Sequence, residues 1–320
     1  MKRLTAPLLV GLAAMGVVAT VGVAMLGSDT ELFSTSEECT AEVDGRRVAL
    51  SLEQAENASL ISAIAVRRDL PARAASIALA TAYQESDLFN IEYGDRDSVG
   101  LFQQRPSQGW GSVDEILDPV YSTNAFYDAL LEIDGYESME ITAAAQAVQR
   151  SGFPDAYADH EGDARTIASA LTGHSPEGFT CEISDDVDEV DPALTRTGLT
   201  KRAEAVRREA LGVFGDVQVG GFEPGGVGDG HMSGSTHYEG RAVDLFVRPI
   251  NGANKVRGWA MAHYFVAQAA RLEIQTVIFD DRIWTARRSD EGWRNYDPPS
   301  RDGDQVILEH RDHVHVDVFA

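Results

Sequence analysis

Polar and apolar positions alternate from Thr40 to Val43 and again from Arg47 to Ser51, with Asp44-Gly45 between them, which predicts a short hairpin. Phe179 to Ile183 has the same character and is a candidate third strand. Between these strands the period changes. Apolar residues recur at helical spacing from Ser51, with Glu53 and Gln54 in the first turn, to Arg68, and again from Pro71 to Phe89. Ala125 to Leu131, Ile141 to Gln149 and Ala164 to Leu171 continue the pattern, so the first half of the chain is mainly α. Beyond Pro192 helices and strands alternate. Lys201 to Val213 and Val256 to Arg271 read as helices, while Val217 to Phe222, Arg241 to Val247, Glu273 to Asp280 and His313 to Val318 read as strands. Helices on an antiparallel sheet make this half α+β.

Glu182 to Asp191 is an acidic run ending at Pro192, and such a run self-repels and extends. At 320 residues there is room for two domains, each with its own core. The expected layout is a membrane anchor or signal peptide over 1–27, a polar stalk over 28–38, a mainly α domain over 39–183, an acidic linker over 184–195 and an α+β domain over 196–320. Met1-Lys-Arg3 leading into the apolar Ala6 to Leu26 makes the first segment an export signal, retained or cleaved, so the rest is expected outside the cytoplasm. The two cysteines, Cys39 and Cys181, bracket the α domain. In an exported chain they read as a disulfide, the alternative being two buried thiols. Net charge is 27 − 51 = −24. That charge argues against nucleic acid as a partner, and against membrane contact except through the N-terminal segment.

Two stretches of the second half carry chemistry. Ser235 to Asp244 reads S-x-H-x-x-G-x-A-x-D, with His237 in a loop and Asp244 on a strand; the C-terminal strand alternates His313, His315 and Asp317 with Val314, Val316 and Val318. Two imidazoles and a carboxylate with a fourth position open are the donor set of a hydrolytic zinc site. A lone His-Asp pair is more often a surface hydrogen bond, but here two segments agree. Together they resemble the zinc D-alanyl-D-alanine carboxypeptidase and Hedgehog-like peptidase family. The resemblance implies His237, Asp244 and His315 as zinc ligands, Asp312 as general base, His313 as a transition-state stabiliser and His310 as a group orienting it. It also implies an arginine for a substrate carboxylate, for which Arg282 is a candidate.

In the first half, Gln84-Glu85-Ser86 ends a helix, Gly100-Leu-Phe-Gln-Gln104 follows a loop, and Ala144 to Ser151 covers a later helix. A carboxyl partly desolvated at the end of an apolar helix keeps its proton to higher pH, which a glycosidase acid requires. A Glu-Ser pair near a helix end is otherwise an ordinary solvated feature. The order of the three segments resembles the goose-lysozyme and soluble lytic transglycosylase family. That resemblance implies Glu85 as the catalytic acid, with Ser86, Gln103 and Gln149 lining a sugar cleft; the third motif departs from the family, with Ala147-Val-Gln149 where Ala-Tyr-Asn is usual. Asp95 and Asp97 are the nearest candidates for a second carboxylate, or simply hold their loop. The joint expectation is an extracytoplasmic, bifunctional peptidoglycan hydrolase. The alternative is a non-catalytic wall-binding or assembly scaffold. Peptidoglycan is the expected partner.

Overall fold

The computed structural model describes residues 37–153, 155–298 and 303–320. The N-terminal apolar segment and most of the stalk lie outside the described residues. Among the described residues no helix is long and apolar enough to cross a membrane.

The hairpin forms as β1 (Glu38–Val43) and β2 (Arg46–Leu50), joined through Asp44 and Gly45, both at positive φ as a two-residue turn of this kind requires. Ser51 then caps α1 (Leu52–Arg67) with a capping box: its hydroxyl accepts from Gln54 N, and Gln54 Oε1 accepts from Ser51 N. α2 (Ala72–Ser86) ends three residues before Phe89, because Asp87 and Leu88 turn left-handed. After α3 (Val113–Ile116) comes α4 (Pro119–Leu131), which starts earlier than the apolar spacing predicts. The Asp118 side chain accepts from Val120 N and Tyr121 N, and Pro119 suits the first helical position. α5 (Ile141–Gln149) and α6 (Glu161–Leu171) complete the helical half. β3 (Phe179–Glu182) pairs with the other edge of β1, which sets Cys181 opposite Cys39, and the two are bonded.

The second half runs α7 (Lys201–Phe214), β4 (Gln218–Gly220), β5 (Ala242–Phe246), α8 (Gly252–Ala267), α9 (Ala269–Leu272), β6 (Ile274–Phe279), β7 (Arg282–Thr285), β8 (Arg294–Asn295), α10 (Gln305–Leu308) and β9 (His313–Val318). The predicted 256–271 helix breaks at Gln268 into α8 and α9. The sheet is antiparallel, ordered β4-β5-β9-β6-β7-β8, so the last strand of the chain fills its centre. Val314, Val316 and Val318 face a helical layer of α7 and α8, and His313, His315 and Asp317 face the other way. Both faces of β9 are buried, so this polar face is a floored site rather than solvent-facing surface.

The two halves do not stand apart. The described residues form one compact unit, in which α8 lies between its own sheet and α1, α6 and β3 of the first half. The Trp284 indole donates to Cys181 O at 3.2 Å, the Trp293 indole to Phe179 O at 2.8 Å, and Gln268 Nε2 to Ser59 Oγ at 2.9 Å. The acidic run, expected to extend as a free linker, is laid along this unit: Arg202 Nη2 donates to Asp188 O at 2.6 Å, and Ser184 N to Glu37 Oε1 at 2.9 Å. Apolar burial along the seam, together with these backbone contacts, outweighs the mutual repulsion of the carboxylates.

His263 sits in that seam, wholly buried beside Trp259 and Trp293, with Nδ1 donating to Ala170 O at 2.8 Å. Burial lowers its pKa to about 4, against about 6.5 for an exposed imidazole. Between those values the unfolded chain binds a proton that the folded one refuses, so stability falls as pH drops through this window, by about 3 kcal/mol in all. Denaturant titrations at pH 7 and pH 4.5 are expected to show much of that loss in the wild type and less of it in His263→Gln. Equal losses in both proteins would refute the assignment.

Candidate metal centre

A 3₁₀ turn over Thr236–Glu239 delivers His237 to the sheet. Ser235 caps it, and Gly240, at φ 67°, ends it where a Cβ would stand 2.5 Å from Gly198 O. Two residues later β5 starts, carrying Asp244 into direct register with His315 of β9. His237 Nε2, Asp244 Oδ1 and His315 Nδ1 then converge, at 3.0 Å for Asp244 to His315, 3.2 Å for His237 to His315 and 3.3 Å for His237 to Asp244. Donors at about 2.0–2.1 Å from a tetrahedral ion stand about 3.3–3.4 Å apart, so the three atoms are already close to the spacing of ligands on one metal ion. All three residues are buried.

The outward ring nitrogens are held as well. His237 Nδ1 donates to Gly221 O at 2.6 Å, which leaves Nε2 with its lone pair toward the centre. His315 Nε2 donates to Asp317 Oδ2 at 3.4 Å, and Thr236 Oγ1 donates to the same oxygen at 3.3 Å. Burial works against charge on Asp244, but its polar contacts with His237 and His315 hold its carboxyl well below the usual range. Burial likewise opposes charge on His315, yet Asp244 and Asp317 push its pKa up to about 10. The centre thus holds a proton where a cation fits. Gly221 is part of the cradle: at φ 82°, a Cβ there would lie 2.3 Å from the His237 ring and 2.8 Å from Asp244 Oδ2.

These groups line a cavity of about 450 Å³. Five of the chain's eight histidines line it: His231, His237, His310, His313 and His315. Asp312 is not among the lining residues. Its Oδ2 accepts from Arg248 Nε at 2.7 Å and Nη2 at 2.5 Å, while its Oδ1 accepts from His313 Nδ1 at 2.8 Å. Burial would raise the Asp312 pKa, but these bonds keep the carboxyl ionised below its ordinary value. His313 is the member turned to the site, its Nε2 3.8 Å from Asp244 Oδ1. His310 meets His313 and His315 ring to ring, at 4.7 and 5.6 Å, with burial holding it neutral, and it is Asp312 that orients His313.

Residues 195–306 match the family model described as VldE, C-terminal domain. The match covers about a third of the chain, takes in His237 and Asp244, and ends before His310, Asp312, His313 and His315. No curated protein matches the chain.

Arg282 is away from the cavity, bonded to Glu177 at 2.9 Å and to Asp281 O. The arginine lining it is Arg248, half-exposed and seated 4.2 Å above the Phe246 ring. Position alone marks it, just past the strand that carries Asp244. His231 and Asp317 also line the site without a role in the motifs; the strand period puts Asp317 on the His315 face, and nothing in the sequence flags His231.

In the first half, Glu85 lies half-buried near the end of α2. Burial raises its pKa, opposed by hydrogen bonds from Tyr157, whose hydroxyl donates to Oε1 at 2.7 Å, and from Gln149. Gln149 Nε2 also donates to Phe102 O at 2.7 Å, so α5 and the Gly100–Gln104 loop meet at Glu85. Ser86 turns inward and donates to Leu101 O at 2.7 Å, tying that loop to α2. Gln103 Nε2 donates to Tyr93 O at 3.2 Å. Asp97 accepts from Arg105 and Ser107 and pins its loop, and Asp95 is exposed beside Arg96. Tyr157 comes from an acidic segment that carries no helical or strand signal, so its sequence gives no warning of its place beside Glu85.

Proposed function

We propose that this chain is an exported, zinc-dependent peptidase of peptidoglycan stem peptides, with glycan cleavage at Glu85 as a second activity. The observation that carries the reading is the buried His237-Asp244-His315 group with both imidazoles held by outer partners. Two histidines and one carboxylate suit zinc over harder cations. The VldE match supports a wall-related role, that family being peptidoglycan-related. The peptidase and lysozyme resemblances rest on the motifs alone.

When bound, zinc would polarise a scissile carbonyl and lower the pKa of a water. The chain's own groups do the rest. Asp312, fixed by the Arg248 guanidinium, holds the Nδ1 proton of His313 and so leaves His313 Nε2 as the atom that receives and returns a proton in the cavity. Asp312, expected from the motif as the base itself, thus acts through its neighbour. Phe246, Ile278 and Leu308 give the cavity an apolar wall for a small side chain. Glu85, with its raised pKa, would protonate a glycosidic oxygen without a second carboxylate beside it.

Purified sacculi digested with the full chain, and read by mass spectrometry of the released fragments, test both arms. Glu85→Gln is expected to remove sugar-ended products only. Asp312→Asn is expected to lower peptide cleavage about 100-fold, within the usual worth of a positioned proton carrier, with zinc retained. Fragments with neither new end, from protein that still binds sacculi, would favour a scaffold that holds glycan or stem peptide.

A further inference from the structure

The segment from Phe222 to Ser235 passes over the metal centre with little packing of its own. Gly225, Gly228, Gly230 and Gly234 have open space where a Cβ would be, and Gly225, Gly226, Gly230 and Gly234 are at positive φ. One residue in this strap is gripped at both backbone groups. His231 N donates to the Tyr238 hydroxyl at 3.0 Å, and that hydroxyl donates to His231 O at 2.7 Å. The grip sets the His231 ring flat on that of His237, with centroids 3.9 Å apart and 21° between planes.

His237 is therefore boxed in: Gly221 O holds its Nδ1, the His315 ring meets it edge-on at 4.9 Å, and His231 covers a face. A histidine side chain in a loop has rotamer freedom that ordering must remove before a metal can use it, and a stacked neighbour removes it in advance. We infer that His231 is a positioning residue for the metal-ligating imidazole of His237, and that Tyr238 holds it in place. This rests on the metal reading above. Among the described residues the converging donor group contains His237, Asp244 and His315 and not His231, and a ring lying flat on a ligand's ring acts through contact, not coordination.

The consequence is specific. What matters at position 231 is a flat ring, not a nitrogen. Metal-free full-length chain, titrated with zinc against a chromophoric chelator, decides it. His231→Ala and Tyr238→Phe are each expected to weaken zinc binding about 10-fold, the lower end for lost outer support, while His231→Phe keeps wild-type affinity within a factor of about 2. Circular dichroism melts of the metal-free proteins are expected to coincide, the strap being loosely packed. If His231→Phe binds zinc as weakly as His231→Ala, the imidazole is itself a ligand and the inference falls. Equal affinity in wild type and His231→Ala overturns this inference alone, whereas no zinc in the wild type overturns the metal reading with it.

Discussion

Replacement of His315 by alanine is expected to take zinc content from about one ion per chain to near zero, and to abolish peptide cleavage while any glycan cleavage persists. His315 is the hub of the centre: its Nδ1 lies within 3.0 Å of Asp244 Oδ1 and 3.2 Å of His237 Nε2, from the middle strand of the sheet. Without it two donors remain, too few to hold zinc against water, and Asp244 keeps its burial while losing a partner that holds it ionised. The same variant separates binding from folding. A ligand held only by the folded chain stabilises it by about 4 kcal/mol at a thousandfold excess over its dissociation constant, so added zinc is expected to raise the wild-type melting temperature and leave that of His315→Ala unchanged. Elemental analysis gives the complementary reading. Full zinc in the purified variant would mean that the ligands lie elsewhere.

The candidate metal ligands are the most legible part of the sequence because their chemistry and the strand period point to the same positions. On β9 the two-residue period alone puts His313, His315 and Asp317 together, and the H-x-x-G-x-A-x-D spacing places a turn before a strand. What period cannot give is the partner of each side chain. Asp312 sits where a base is expected from the motif, yet its two oxygens are taken by Arg248 and His313, and Arg248 is 64 residues away. Tyr157 reaches Glu85 from 72 residues away, out of a 3₁₀ segment with no apolar pattern. The helices were legible where caps and periodicity agreed, as at Ser51, and drifted where a cap overrode periodicity, as at Asp118-Pro119. The seam between the halves was the least legible. Trp284 lies on a short strand and Trp293 in a loop, and their burial depends on backbone carbonyls of β3 more than 100 residues earlier. A sequence divided at its acidic run therefore looks like two self-sufficient modules.

That division leads to the second large effect: residues 196–320 produced alone are expected not to fold into a zinc-binding domain. Their central helix, α8, buries Trp259, Met261, Ala262, His263, Tyr264, Phe265 and Val266, and part of this surface is covered by α1, α6 and β3, which such a fragment lacks. Exposing several aromatic side chains costs about 1.5–3 kcal/mol each, comparable in sum to the whole stability of a small domain. The indoles of Trp284 and Trp293 and the Nδ1 of His263 would lose their acceptors Cys181 O, Phe179 O and Ala170 O at the same time. Co-expression of 28–195 with 196–320 is the informative control. If the seam supplies the missing core, the two pieces should associate and bind zinc together, whereas the second alone should be aggregated or lack a cooperative melt. A fragment 196–320 that melts cooperatively and binds zinc like the whole chain would show that the halves are independent after all, and that the seam merely orients one cleft with respect to the other.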